Sequence, residues 1–240
     1  MLQKIKSFLK NNSPIFLMDI YRSFQKKKKL EIDGLSTEEV FSKIYKENYW
    51  VYGESVSGTG SDSSQTNVII SELEKLFQEY NIKSILDAPC GDFNWMNQVN
   101  LNGIDYLGID IVEDLIKLNK ENYKDKAGVE FRTGNIITDD LPQVDLILCR
   151  DCLVHFSYNE IGRTLENFKK SGSKFLLTTS FIHRKENKDI TTGFWRTLNL
   201  RKPPFNFIKP LRVIDEKCKE GGGKHKDKSL LLWNLDHLKP

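Results

Sequence analysis

The sequence predicts an α/β protein: a seven-stranded, mostly parallel, doubly wound sheet with a C-terminal antiparallel hairpin and an N-terminal helical extension. Three observations carry that prediction. Short apolar runs alternate with helix-periodic stretches from residue 65 to residue 179, the pattern of successive βαβ units. The first strand candidate, Ser84-Ile85-Leu86-Asp87-Ala88, runs into the tight turn Pro89-Cys90-Gly91, and ligands of open α/β sheets bind at such carboxyl strand ends. Beyond residue 179 the alternation stops, and apolar runs at 211–214 and 229–233 are joined by a charged, glycine-rich loop.

Residues 1–30 read as an amphipathic helix broken at Pro14, with Leu2, Ile5, Phe8 and Leu9 on one side. Ser36 followed by Glu38 and Glu39 is a helix start, because a hydroxyl cap and first-turn acids complement free backbone N–H groups; Val40, Phe41 and Ile44 form its buried face. An aromatic cluster, Tyr45, Tyr49, Trp50 and Tyr52, precedes a Ser/Gly stretch at 53–64. That stretch is either a flexible linker or a loop whose backbone N–H groups close over a polar ligand, with Ser57 and Gly58 as candidates. Then follow a helix at 65–80, the strand at 84–88 and a helix start at 94–99. A strand at 105–111 and a helix at 112–123 come next, then strands at 129–132 and 144–149. A helix at 158–169 and a strand at 174–179 complete the alternation; 181–209 contains no convincing helix. The expected division is an extension and lid over 1–64 and the sheet domain over 65–240.

At 240 residues the chain is long enough to bury a sizeable core. A net charge of +3 lacks the footprint of a dedicated nucleic-acid binder, and the run Lys26 to Lys29 reads as a solvated segment. Cys90, Cys149, Cys152 and Cys218 show no disulfide-framework spacing, and no stretch approaches the roughly 20 apolar residues of a membrane span. The expectation is a soluble, cytoplasmic protein. Cys149-x-x-Cys152-x-x-His155 lacks a fourth ligand at a matching spacing, so no metal is expected.

The dinucleotide fingerprint G-x-G-x-x-G does not fit the first turn, because Pro89 and Phe93 stand where small residues would let backbone approach a pyrophosphate. A ligand without phosphates relaxes that demand. Asp110 follows Asp87 by 23 positions, where a carboxylate can accept hydrogen bonds from both ribose hydroxyls of an adenosine; capping a helix start is the alternative. Strand four runs into Cys149-Arg150-Asp151-Cys152-Leu153-Val154-His155. Asp151 and His155, four apart, could present a base from one helical face, or could serve backbone bonding and packing.

The combination of Trp50 before Ser-Val-Ser-Gly-Thr-Gly-Ser, Asp-Ala-Pro-Cys-Gly-Asp-Phe-Asn-Trp, Gly-Ile-Asp-Ile-Val, Cys-Arg-Asp-Cys-Leu-Val-His and Asp-Lys-Ser-Leu covers about residues 50–233. Over that span the chain resembles the class I S-adenosylmethionine (SAM)-dependent methyltransferases, and in particular bacterial members often encoded in capsule or surface-glycan loci. Two usual glycines are missing from the first motif, and Asn135 stands where the family often has an acid. The resemblance implies a Rossmann-like sheet with SAM as cofactor and S-adenosylhomocysteine as product. It implies that Asp87 faces the methionine amino group, that Pro89, Cys90 and Gly91 pass along the cofactor, and that Asp110 and Ile111 meet the ribose. Asn135 and Ile136 fall beside the adenine, Arg150 borders cofactor and acceptor, and Trp50 belongs to a lid whose aromatic face suits a sulfonium. His155 and Asp151 are the catalytic candidates. Trp195, Arg196 and Asn199, with the Lys224 to Lys228 segment, are candidates for binding the acceptor. That acceptor is expected to be a small molecule or glycan precursor, methylated on an oxygen of a sugar or phosphoramidate-type capsule group. No nucleic-acid partner is expected. The rivals are an RNA or protein methyltransferase and a SAM-binding partner subunit without catalysis.

Overall fold

The computed structural model describes residues 30–50 and 53–238. Contacts divide the chain into two units, 1–31 and 32–240; the second is described below. The helix expected over 1–30 and the Lys26 to Lys29 run lie outside the described residues, as does Tyr52.

Helix α1 (Thr37–Lys46) starts with a capping box: the Ser36 side chain accepts from the Glu39 N–H while the Glu39 carboxylate accepts from the Ser36 N–H. Val40 and Ile44 are buried along its inner stripe. Helix α2 (Ser63–Glu79) follows, with Ile69, Leu73, Leu76 and Phe77 buried at helical spacing. The strands are β1 (Ser84–Asp87), β2 (Asp105–Asp110), β3 (Val129–Thr133), β4 (Leu146–Cys149), β5 (Phe175–Phe181), β6 (Arg212–Asp215) and β7 (Lys228–Asn234). Helix α3 (Glu113–Asn122) connects β2 to β3, and α4 (Tyr158–Lys170) connects β4 to β5.

The seven strands form one sheet in the order β3-β2-β1-β4-β5-β7-β6. β1 to β5 pair in parallel, while β7 runs antiparallel between β5 and β6. Strand side chains alternate between faces, so Ile85 and Leu177 join the α2 and α3 side of the core, whereas Leu86 and Leu176 join the α4 side. Strand order reverses between β1 and β4, which opens a crevice at their carboxyl ends.

One expected element is absent. The 94–99 stretch forms only a 3-10 turn, Met96–Gln98, in which Trp95, Met96 and Val99 turn into the core beside Phe93 while Asn97 and Gln98 stay exposed. Among the described residues, no helix is long and apolar enough to cross a membrane.

Candidate active site

Asp87 ends β1 fully inside the protein, where the Tyr106 hydroxyl of the adjacent strand donates to Oδ2 at 2.6 Å. Burial pushes its carboxyl up to about 7, and the Tyr106 hydrogen bond opposes that rise. Beyond it, half-buried Pro89 and buried Cys90 lead to Gly91, whose N–H donates to Asp110 Oδ2 at 3.1 Å. The Val112 N–H donates to Asp110 Oδ1 at 3.0 Å. One carboxylate therefore ties the turn after β1 to the turn after β2. The capping alternative is realised too, since Val112 opens α3, but each oxygen keeps a lone pair for a further donor. Burial raises Asp110 to about 6 against its backbone hydrogen bonds from Val112 and Gly91.

Gly91 has φ +55, and a Cβ there would lie 2.2 Å from Ser57 Oγ; both facts require glycine. Phe93, standing where a glycine would be usual, keeps a left-handed backbone at φ +56. Its ring lies fully buried against Tyr106, Tyr123 and Phe131. Aromatic packing thus holds a conformation that glycine would adopt freely. Half-buried Ile111 precedes Val112, and Ile136 is buried beside Ile109. The Asn135 side-chain oxygen already accepts from the Ile137 N–H at 2.9 Å, leaving one lone pair where an adenine contact is expected.

The 53–61 segment is a packed loop, not a linker. Asp92 accepts from the Ser55 hydroxyl at 3.0 Å and from the Val56 N–H at 2.9 Å. Thr59 donates to Glu220 at 2.7 Å, and the Gly60 carbonyl accepts from Arg150 at 2.8 Å. Gly58 packs against Trp50, so that a Cβ added there would lie 3.6 Å from the Trp50 Cβ. The loop therefore lies over the carboxyl ends of the strands.

Beneath Gly60 stands a cluster that joins β4, β6 and β7. Asp151, with φ +53, donates its backbone N–H to Thr179 Oγ1 at 2.8 Å. Its carboxylate meets Lys228 at 2.5 Å and Arg150 at 3.4 Å. Arg150 also pairs with buried Glu216 at 2.8 Å, and its guanidinium lies 5.4 Å from the Trp95 ring. Burial would raise the Asp151 carboxyl, but Lys228 and Arg150 overcome it and hold the group at about 2. Burial also works against charge on Arg150 and Lys228, yet the carboxylates around them raise both.

His155 ends a 3-10 turn, Leu153–His155, and its Nδ1 lies 2.9 Å from the Phe194 carbonyl. A carbonyl only accepts, so Nδ1 carries the proton and Nε2 keeps the free lone pair. Burial lowers its pKa to about 4, so the ring is neutral at pH 7. The Trp50 ring stacks on it with centroids 4.4 Å apart. The expected single helical face for Asp151 and His155 is not formed, because left-handed Asp151 precludes an α-turn there.

The acceptor candidates after β5 divide. Trp195 is 46% exposed beside Phe181 and His225. Arg196 is buried and donates to the Leu153 and Phe156 carbonyls, and Asn199 is buried and donates to the Arg184 carbonyl. Arg196 ties the 181–207 segment to the turn at 153–156, while Asn199 bonds within the segment itself. Lys228, expected among the acceptor-facing lysines, turns inward. Glu216 was not legible as a site residue, since an acid just past an apolar run reads as ordinary loop.

The donor set tests the expected cofactor. Two buried carboxylates, Asp87 and Asp110, stand at the crevice, and Arg150 is engaged by Glu216 and Asp151. That chemistry fits a nucleoside with a cationic tail and no phosphate. Residues 85–171 match the family model described as a methyltransferase domain. The matched stretch is about a third of the chain and, with the fold, supports a methyltransferase domain that takes SAM as cofactor. No curated protein matches.

Among solved structures, human N-acetylserotonin methyltransferase in complex with SAM is similar, with TM-score 0.59 and 13% identity over 90% of this chain and 64% of that one. The chain thus spans less than two thirds of that enzyme. The N-methyltransferase NodS from Bradyrhizobium japonicum aligns with TM-score 0.54 and 12% identity, over 72% of this chain and 98% of that one. At such identities the likeness is one of fold.

Proposed function

We propose that the chain transfers the methyl group of SAM to a small polar acceptor, an oxygen of a sugar or phosphoramidate-type surface-polysaccharide precursor. The observation that carries the cofactor half is the Asp110 carboxylate, bonded at once to Gly91 and Val112 where the strand order reverses. Asp110 would bind the ribose hydroxyls and Asp87 the methionine ammonium. Ile111, Asn135 and Ile136 would flank the adenine. Bound SAM supplies an electrophilic methyl on a cationic sulfur.

The chain's own part is positioning and proton transfer. Residues 53–61 and Trp50 cover the site and exclude water. Asp151, ionised throughout the working range, orients the acceptor. His155 Nε2, unprotonated at pH 7, takes the proton of the attacking hydroxyl. The capsule assignment rests on the sequence resemblance alone.

Calorimetric titration with SAM, with NAD in parallel, tests the reading. The expected result is SAM binding that disappears in Asp110→Ala while the fold, followed by circular dichroism, is kept. Absence of SAM binding by the wild-type chain would refute it. His155→Ala and Asp151→Asn, assayed separately for product formation, test the catalytic roles; near-wild-type turnover in both would leave positioning alone.

A further inference from the structure

The Asp151 cluster bears on the charge of the acceptor, an inference that rests on the methyltransferase reading. Two cations, Arg150 and Lys228, face three carboxylates, Asp151, Glu216 and Glu220, within 3.7 Å of one or other cation. Both cationic side chains are 4% exposed, and Glu216 is 1% exposed. Neither cation is free to leave its carboxylates for an incoming anion, and the group as a whole carries surplus negative charge.

The part that faces outward is Asp151, whose side chain is 25% exposed. It is held from several directions at once: by Thr179 of β5, Lys228 of β7 and its own neighbour Arg150, on a left-handed backbone. A non-glycine residue keeps such a backbone only where its surroundings over-determine it. Gly60 closes over the cluster so tightly that a Cβ would lie 3.1 Å from Asp151 Oδ2 and 3.3 Å from Lys228 Nζ. No side chain intervenes there between loop and carboxylate.

We infer that the acceptor is uncharged beside Asp151 and presents to it a neutral hydroxyl as hydrogen-bond donor, next to the hydroxyl whose proton His155 takes, and that this cluster excludes a phosphate or other anionic group. A hydroxyl supplies the donor that a carboxylate needs. A phosphate brings a net negative charge against the cluster's own surplus, and its ionised oxygens only accept. The neutral His155 ring brings no compensating cation.

Inorganic phosphate is the probe. It is titrated calorimetrically into the full chain saturated with S-adenosylhomocysteine, for wild type, Asp151→Asn, Glu216→Gln and each of these carrying Lys228→Met. The wild type is expected to show no phosphate site dependent on Lys228. Removing one carboxylate charge, by either carboxamide substitution, is expected to raise phosphate affinity at least about tenfold, and adding Lys228→Met is expected to abolish that gain. Glu216→Gln keeps the test open if Asp151→Asn fails to fold. A wild-type phosphate site weakened by Lys228→Met overturns the inference, as does the absence of any gain in the folded carboxamide variants. Phosphate heat unmoved by Lys228→Met belongs elsewhere, and the carboxamide variants then decide. Failure of the wild type to bind S-adenosylhomocysteine refutes the methyltransferase reading instead, and the phosphate titrations remain interpretable on the free chain.

Discussion

Replacing Asp87 with asparagine removes a carboxyl whose folded pKa is about 7, about three units above the roughly 3.9 of an unfolded aspartate. Because the folded value is raised, the folded state binds more protons than the unfolded state across that interval. The stability linked to this group is complete below about pH 4 and is lost as pH rises through 7. Between pH 5 and pH 8 about two of those units are traversed, or about 3 kcal/mol. The carboxamide of Asp87→Asn would still offer the Tyr106 hydroxyl an acceptor in place of the carboxylate that takes it at 2.6 Å.

Asp151, lowered to about 2, titrates below this window. His155, lowered to about 4, contributes inside it with the opposite sign, because its unfolded state binds more protons and stability rises with pH. That contribution is common to both proteins, so the difference between wild type and Asp87→Asn reports Asp87 together with its Coulombic coupling to Asp110. Urea unfolding of both at pH 5 and pH 8 is the assay. With a slope of about 2 kcal/mol/M, the gap between midpoints should change by about 1.5 M in favour of the variant at pH 8. Equal pH dependence in the two proteins would refute the argument that Asp87 is buried at a desolvation cost.

Three further outcomes are expected. SAM binding near pH 6.5 should release protons, because an ammonium beside Asp87 favours the carboxylate; calorimetry in buffers of different ionisation enthalpy should show a buffer-dependent heat, and an unchanged heat counts against that placement. Glu216→Ala removes the most deeply buried partner of Arg150 and Lys228, which both keep Asp151, and should cost about 1–3 kcal/mol, read from urea midpoints, with a smaller loss for Glu216→Gln. Gly91→Ala meets both a left-handed backbone and Ser57 Oγ; a loss of about 1–2 kcal/mol, partly recovered by adding Ser57→Gly, is expected from thermal unfolding.

Most of the sheet was legible because its signals are local. Alternating apolar runs such as 84–88 and 105–111 marked strands within a residue or two, and the Ser36 cap with Glu39 marked the start of α1. The helix expected at 94–99 is only a 3-10 turn, with Trp95, Met96 and Val99 turned into the core. The turn after β1 and its tie to the end of β2 were legible from Asp87, Gly91 and Asp110, whose spacing follows from strand length. The surroundings of the later candidates were not: Asp151 and His155 looked like a helical pair, and the bonds of Arg196 and Asn199 could not be foreseen, because sequence spacing carries no information about which backbone carbonyls lie opposite.

Contacts near in sequence therefore set the alternation of strands and helices, the turn after β1 and the carboxylate after β2, and all of these could be read from the residues. The folded chain alone reveals that Glu216 and Lys228, 66 and 77 residues from Arg150 and Asp151, close a charge cluster around them. It alone reveals that 53–61 folds over the strand ends, and that Phe93 holds by packing a backbone usually left to glycine. The reason is physical: charge pairing and ring packing depend on separation in space, and the antiparallel return of β7 between β5 and β6 is what brings those side chains together.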